Sequence, residues 1–356
     1  MFNQSESVGY SVYYTQFEKL KEKLPALYRG GSSIFTSFHI GEESGSEYVS
    51  GMEKMCSFLH SIGYKITGDV SKRTLSVFGE TDIVHFAARM HISVLRIDCG
   101  FSVEEIASIA KQMPVCINAS TVSIQDAAVI SKDAVKVYAL HNFYPRPETA
   151  LDELFFCKKN AEFNQYGIEA AAFIPGDILL RGPIFEGLPT LEKHRGTAPW
   201  AAFCDMCETY NVRKIIVGDG IISPQQLEYI DSYCKDGIIN IPVDFCKSRT
   251  ALYGSVFTIR GDSPAWLMRM EESRLYACAG EKINPENCSE RKRGCITMDN
   301  IGYKRYSGEI QILKKGFPAD SRVNVIGSVS EKYLLLLDAA SNGSKIRFVR
   351  MEPSEC

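Results

Sequence analysis

Residues 93–118 read SVLRIDCGFSVEEIASIAKQMPVCIN, and the order of signals in them decides the fold. Ser93–Asp98 is a β-branched apolar run that ends in a carboxylate. Ser102 and Glu105 then stand at capping-box spacing, where each side chain satisfies a backbone N–H at the start of a helix. Pro114–Asn118 is a second β-branched run ending in a polar side chain. Strand, capped helix and strand in this order form a βαβ unit, and the crossover makes its two strands parallel.

The same alternation extends in both directions. Strand candidates are Val8–Tyr14, Ser33–Ile40, Tyr64–Val70, Ser93–Asp98, Pro114–Asn118, Ala134–His141, Ala170–Ile174 and Lys214–Asp219. Between them, Ser71, Thr81 and Ser123 read as N-caps, and Ser223-Pro224-Gln-Gln226 orders a cap, a Pro at the first helical position and a capping-box Gln. Tyr48, Met52, Met55, Cys56 and Leu59 share one helical face. Eight such units predict an α/β chain with a (β/α)8 TIM barrel, whose functional residues sit in loops at the C-terminal ends of the strands. A doubly wound open sheet would carry a Gly-rich first βα turn, and Tyr13-Tyr14-Thr15-Gln16 has none.

After about residue 250 the pattern changes. Gly254–Arg260, Gly294–Met298, Gly308–Leu313, Arg322–Val329, Lys332–Asp338 and Lys345–Arg350 follow one another with turn residues between them. They read as strands of a small all-β barrel or sandwich. The expected division is a barrel catalytic domain at 1–245 and an all-β domain at 250–356.

Composition narrows the function. With 45% hydrophobic residues, 23% charged residues and a net charge of −3, the chain resembles an ordinary globular protein and has no general attraction to polyanions. No basic face with interleaved aromatics marks a nucleic-acid partner. No long uncharged apolar run marks a membrane span, and the N-terminus lacks the pattern of a secretory signal, so a cytoplasmic location is expected. Twelve Cys are then expected as reduced thiols, including Cys204 and Cys207 of a CxxC on a helix, which read as buried apolar groups. The six His form no HxH or HxxxH pair, and neither metal nor cofactor is expected.

Strand-end polar residues are the candidates for chemistry. His39 with Glu42 and Glu43 follows the second strand. Asp69 and Asp98 end adjacent strands, so their carboxylates can converge as the pair that glycosidic cleavage needs, although either could instead cap a turn or pair with Arg96. His141-Asn142-Phe-Tyr144-Pro-Arg146-Pro147 gathers ring, amide, phenol and guanidinium donors on a stretch stiffened by two Pro, a form suited to a hydroxyl-rich or anionic ligand. Arg181-Gly-Pro-Ile-Phe-Glu186-Gly-Leu-Pro-Thr-Leu-Glu192-Lys-His194-Arg195 is a shaped polar loop, and its guanidinium groups fit carboxylate or phosphate. Asp219, in Val217-Gly-Asp-Gly220, is either a further ligand contact or a turn residue.

Taken together, the blocks His141–Pro147, Arg181–Glu192 with His194-Arg195, Leu95–Asp98, and Asp299-Asn300 with Tyr303 and Arg305-Tyr-Ser-Gly-Glu309 resemble the bacterial 6-phospho-N-acetylmuramidase family over nearly the whole chain. The resemblance implies a TIM barrel followed by a cyclophilin-like β-domain. It also implies a cytoplasmic hydrolase acting on a 6-phosphorylated N-acetylmuramyl-N-acetylglucosamine disaccharide in cell-wall recycling. Where the family commonly has Gly, this chain has Ala150, so a left-handed backbone there would be disfavoured and the loop would differ in shape. The β-domain is expected to close one side of the barrel mouth and to lend Arg305 or Tyr306 to the ligand. The alternatives are a non-catalytic phosphosugar-binding or surface protein, and a barrel lyase acting on a phosphosugar. A Schiff-base lyase needs a strand-end Lys, and none of the eight runs ends in one. Glu186 and Glu192 stand as rivals to Asp69 and Asp98 for the catalytic carboxylates.

Overall fold

The structure, a computed structural model, describes residues 8–38, 46–278 and 282–351. His39, Glu42 and Glu43 lie outside the described residues. Eight strands close a parallel barrel in chain order: β1 (Gly9–Ser11), β2 (Ser33–Ser37), β3 (Lys65–Ser71), β4 (Ile92–Cys99), β5 (Val115–Asn118), β6 (Val137–Leu140), β7 (Glu169–Ile174) and β8 (Lys214–Val217). Each falls on a run read from the sequence, and β1 closes the ring against β8 through Tyr10 and Val217.

Side chains alternate across these strands, which fills the barrel and covers its outside at once. Phe35, Cys116, Leu140, Ala171, Phe173 and Ile216 pack with Tyr13 as the interior cluster. Their neighbours Ile34, Ile117, Ala139, Ala172 and Ile215 are buried as well, on the faces that meet the helices. Helix Ser46–Ile62 is one of these, and its Tyr48, Met52, Met55, Cys56 and Leu59 are all buried. Burying each such side chain contributes about 1.5–3 kcal/mol. Helix starts follow the local chemistry: Ser102 and Glu105 form the capping box, and Ser71 and Ser123 cap their helices. Thr81 does not cap; the next residue does, with the Asp82 carboxylate accepting from the His85 N–H at 2.7 Å.

The chain divides into two compact units, one holding the residues up to Pro199 with Tyr210–Ile230, the other Trp200–Thr209 with the residues from Asp231 on. In the second unit β9 (Ile239–Phe245), β10 (Val256–Thr258), β11 (Leu267–Arg269), β12 (Cys295–Asp299), β13 (Ile310–Leu313), β14 (Val323–Val329) and β15 (Lys345–Arg350) form a curled seven-stranded sheet ordered β10-β15-β9-β14-β12-β13-β11. The β9–β15 pair is parallel and the other pairs are antiparallel. The sequence boundary at 245–250 falls just after β9. That strand escaped the sequence reading because Pro242 sits inside it, and a Pro argues against a central strand. Lys332–Asp338 is not a strand: Glu331–Tyr333 is a 3-10 turn and Leu335–Ala339 an α-helix. An unbroken Leu run reads alike in a buried strand and a buried helix, and here Leu336 and Leu337 are buried from a helix.

Candidate active site

The site is organised by one buried guanidinium. Arg96 and Asp98 lie two apart on β4, beside a shift in the β3–β4 register, and both side chains line one cavity. Arg96 is 4% exposed. Its Nη1 donates to Asp69 Oδ1 on β3 at 2.5 Å and to Asp98 Oδ1 at 3.3 Å, and its Nη2 donates to Asn142 Oδ1 at 2.6 Å. Asn118, ending β5, donates from Nδ2 to the same Asp98 oxygen at 3.0 Å. Burial works against the charge on Arg96, but Asp69 above all, with Asp98, holds its pKa above the ordinary arginine value. Removing one partner from such a buried pair leaves an uncompensated charge and typically costs about 3–5 kcal/mol.

Asp69 and Asp98 differ in their surroundings. The Asp69 side chain is 9% exposed and serves as the close counterion of Arg96, whereas that of Asp98 is 31% exposed. Because both accept from one nitrogen, their Oδ1 atoms stand within roughly 6 Å of each other, nearer the spacing of retaining glycosidases than the wider gap that admits a water. Both line a cavity of about 590 Å³, with Asn118, Thr121 and Asn142 as its further polar groups. Phe35, Phe143 and Phe173 also line it and meet edge to face, with centroids 5.1 to 6.5 Å apart. A polar rim beside an apolar aromatic patch suits a sugar, which has hydroxyls at its edge and C–H groups on its face.

The cavity has a cation beside it. The Arg181 guanidinium stacks on the Tyr13 ring, with Cζ 3.7 Å from the centroid, and lies 5.9 Å from that of Phe143. No carboxylate pairs with it among the described residues. Its backbone is held by Asp219, which is fully buried: Oδ1 accepts from the Arg181 N–H at 3.0 Å, and Oδ2 from those of Gly176 and Leu188 at 2.9 Å. Asp219 therefore shapes the loop after β7 and does not line the cavity.

The other sequence candidates are dispersed. Arg195 spends its guanidinium inside the protein, on Glu192 Oε1 and Oε2 at 2.6 and 3.0 Å and on the carbonyls of Glu186, Gly187 and Tyr144. Glu192 in turn accepts from the N–H groups of Glu148 and Ala150. The Arg195 hydrogen bond, helped by those two N–H groups, holds the Glu192 carboxyl down to about 2 against a smaller push from burial. Together the pair ties the 141–150 loop to the 186–195 loop. The left-handed residue here is Glu148 at φ 69°, and Ala150 has no positive φ. His141 is fully buried under Phe156, with Nε2 at 2.8 Å from Asn160 Oδ1, and burial drives its pKa down to about 4. His194 is also buried. Tyr144 meets Ser120 through its hydroxyl at 3.2 Å, while Arg146 and Glu186 are exposed on the surface.

Of the sequence candidates, then, Asp69, Asp98 and Asn142 line the cavity and Arg181 stands beside it. Arg96 is the residue underweighted by the sequence reading. An Arg between Leu95 and Ile97 in a buried strand had to find carboxylates, and that was its signal. Phe35 and Phe173 carried none, since an inward aromatic in a barrel strand reads as packing, and Phe143 lay unremarked within the His141–Pro147 loop. Cys204 and Cys207 are buried, and neither is in a disulfide. Among the described residues no His, Cys, Asp and Glu cluster could hold a metal ion, and no helix is long and apolar enough to cross a membrane.

Comparison with known proteins agrees with this architecture. A crystal structure of a conserved Enterococcus faecalis protein of unknown function superposes with a TM-score of 0.81 at 30% identity, covering 98% of each chain. An uncharacterised Bacillus cereus protein gives a TM-score of 0.78 at 24% identity, over 97% of this chain and 100% of its own. No curated protein matches the chain. The family models described as 6-phospho-N-acetylmuramidase, N-terminal and C-terminal, match residues 8–232 and 240–349. By the extent of those two matches, the chain belongs to the 6-phospho-N-acetylmuramidase family.

Proposed function

We propose that the barrel is a cytoplasmic glycosidase that hydrolyses a 6-phosphorylated N-acetylmuramyl-N-acetylglucosamine disaccharide in cell-wall recycling. One observation carries this reading: two carboxylates from adjacent strands grip a single guanidinium at the edge of an aromatic-lined cavity. With Asp69 ionised and Asp98 carrying the proton it donates, the trio starts neutral and gains one net negative charge as that proton passes to the leaving oxygen, which favours the positive charge that develops at the anomeric carbon. Asp69, at 2.5 Å, is the counterion that Arg96 needs, so it stays anionic and faces the reacting carbon. Asp98, bound more loosely at 3.3 Å, is left to give a proton to the departing glycosidic oxygen and later to take one from water. The anomeric carbon is attacked either by Asp69 or by the oxygen of the substrate's 2-acetamido group, which Asp69 would orient. Both routes retain the anomeric configuration.

Arg181 is the proposed contact for the 6-phosphate, because it is a guanidinium beside the cavity with no carboxylate partner among the described residues. Among the described residues no Lys lines the cavity, which counts against Schiff-base lyase chemistry. The test is turnover of the phosphorylated disaccharide. Asp98→Asn is expected to lower kcat by about a hundredfold or more with the fold intact, and the wild-type product is expected to appear first as the retained anomer by NMR. Near-normal hydrolysis by Asp98→Asn removes that residue from the mechanism, and an inverted first product excludes both proposed routes.

A further inference from the structure

The C-terminal unit has a cavity of its own, about 370 Å³, over the edge of the sheet formed by β12, β13 and β11. Cross-strand register sets Arg269, Gln311 and Thr297 in one row, and the Asp299 N–H donates to the Glu309 carbonyl in the next. The polar groups are linked: Thr297 Oγ1 donates to Gln311 Oε1 at 2.9 Å, Gln311 Nε2 to Asp299 Oδ2 at 3.3 Å, and Arg269 Nη2 to Glu309 Oε2 at 3.1 Å. The network is incomplete. Glu309 is 5% exposed, and its Oε1 is buried with no hydrogen-bond partner among the described residues. A buried carboxylate oxygen left in that state is costly and calls for a donor.

The surroundings limit what that donor can be. Arg269 and Arg291 both line the cavity, so an ammonium ligand would be repelled. An anion is disfavoured as well, because it would meet the Glu309 carboxylate and has no hydrogen to donate to its buried oxygen. Burial, reinforced by the neighbouring Glu309 charge, pushes the Asp299 carboxyl up to about 7, so near neutrality a donor stands beside an acceptor. The next row on the same sheet face is the Leu267–Leu313 pair, and with Tyr306 and Phe317 it gives the cavity an apolar part. A neutral molecule with several hydroxyl or amide donors on one edge and C–H groups on a face satisfies all of these conditions.

We propose that the C-terminal unit carries a saccharide-binding site in this cavity, with Glu309, Asp299 and Gln311 bonding the sugar's hydroxyl or amide groups and Tyr306 packing against its ring. The site does not depend on the activity proposed for the barrel. It is tested by hydrogen exchange on the full-length protein with the methyl glycoside of N-acetylglucosamine, with methylammonium and with inorganic phosphate. The glycoside is expected to slow exchange severalfold in 264–269 and 295–313, equally in wild type and in Asp98→Asn. Glu309→Gln, which keeps the side-chain shape, and Tyr306→Ala, which leaves the polar network in place, are each expected to weaken that protection about tenfold or more in concentration dependence. Absence of protection in these segments, or protection as strong by methylammonium or phosphate, overturns the proposal. Protection here with no hydrolysis by the wild type supports this site and counts against the proposed barrel activity alone.

Discussion

Replacing Arg96 with Met tests whether the carboxylate pair rests on a desolvated ion pair. Met keeps most of the length and apolar volume of the side chain but removes the guanidinium that bonds Asp69, Asp98 and Asn142. Asp69, 7% exposed, then loses the guanidinium that it bonds at 2.5 Å. Breaking a buried pair in this way costs about 3–5 kcal/mol, a large share of the roughly 5–15 kcal/mol that typically holds a domain together. For a domain of this size that corresponds to a fall in Tm of about 6–20 °C. The companion is Asp69→Leu/Arg96→Met, which replaces both charges with apolar groups. It should recover most of the lost stability, because the Coulombic gain of a buried pair roughly offsets its desolvation. Neither variant should turn over substrate. Both tryptophans, Trp200 and Trp266, belong to the C-terminal unit, so fluorescence reports on the wrong part of the chain, and exchange of the β3 and β4 amides in urea is the better readout. A loss below about 1 kcal/mol in Arg96→Met, the range of a solvated surface pair, would refute the argument, as would a double variant no more stable than the single one.

Arg181→Ala is expected to raise KM for the phosphorylated disaccharide about tenfold to a hundredfold and to leave cleavage of the unphosphorylated analogue unchanged; an equal effect on both substrates would detach Arg181 from the phosphate. His141 titrates near 4 when folded and near 6.5 when unfolded, so the unfolded chain binds the extra proton between those values. Its contribution is whole above pH 6.5 and should fall by up to about 3 kcal/mol as pH drops toward 4; urea titrations in which His141→Gln keeps the same acid limb would contradict this. Glu192 titrates near 2, so its contribution is present above the ordinary carboxylate range and lost as pH falls through 2. Its side chain is 33% exposed, and solvent screening reduces the effect of Glu192→Gln to on the order of 1 kcal/mol at pH 7. Limited proteolysis should nonetheless show faster cutting between 143 and 150, and an unchanged digest would mean that the Glu192–Arg195 tie does not hold that loop.

The barrel was legible because its signals are local and repeated. The units carry short apolar runs, several followed closely by a capping residue, and all eight strands fall on those runs. The C-terminal sheet was less so. β11 has only three residues, too few for an alternation to register, and β9 hides a Pro because its backbone bonds run to β15 and β14, far away in sequence. The Leu334–Leu337 run failed for a different reason: a stretch apolar at every position fits a period of 2 and of 3.6 equally, and only the packing around it selects the helix.

The site shows a sharper limit. Arg181 and Arg195 belong to one loop and have the same chemistry, yet one stacks beside the cavity and the other binds carbonyls within the protein. A long irregular loop has backbone oxygens without ladder partners, and something must satisfy them. An Arg with five donors is the most economical candidate, so a polar loop consumes part of its own charge before any ligand arrives. The sequence did hold a clue to which Arg this would be. Arg195 follows Glu192 at a spacing of three and closes on it within a single 3-10 turn, while Arg181 has no acidic residue nearer in sequence than Asp177 and Glu186. The same reasoning applies to Asp98 and Asp219, two aspartates just after apolar strand cores. Asp219 lies between two glycines at the mouth of a long loop, where backbone N–H groups converge on it. Asp98 lies two residues from an Arg on β4, beside a shift in the β3–β4 register, and both side chains line the cavity. The Asp219 carboxylate is recruited by backbone N–H groups, and the Asp98 carboxylate is held by a buried cation at the cavity.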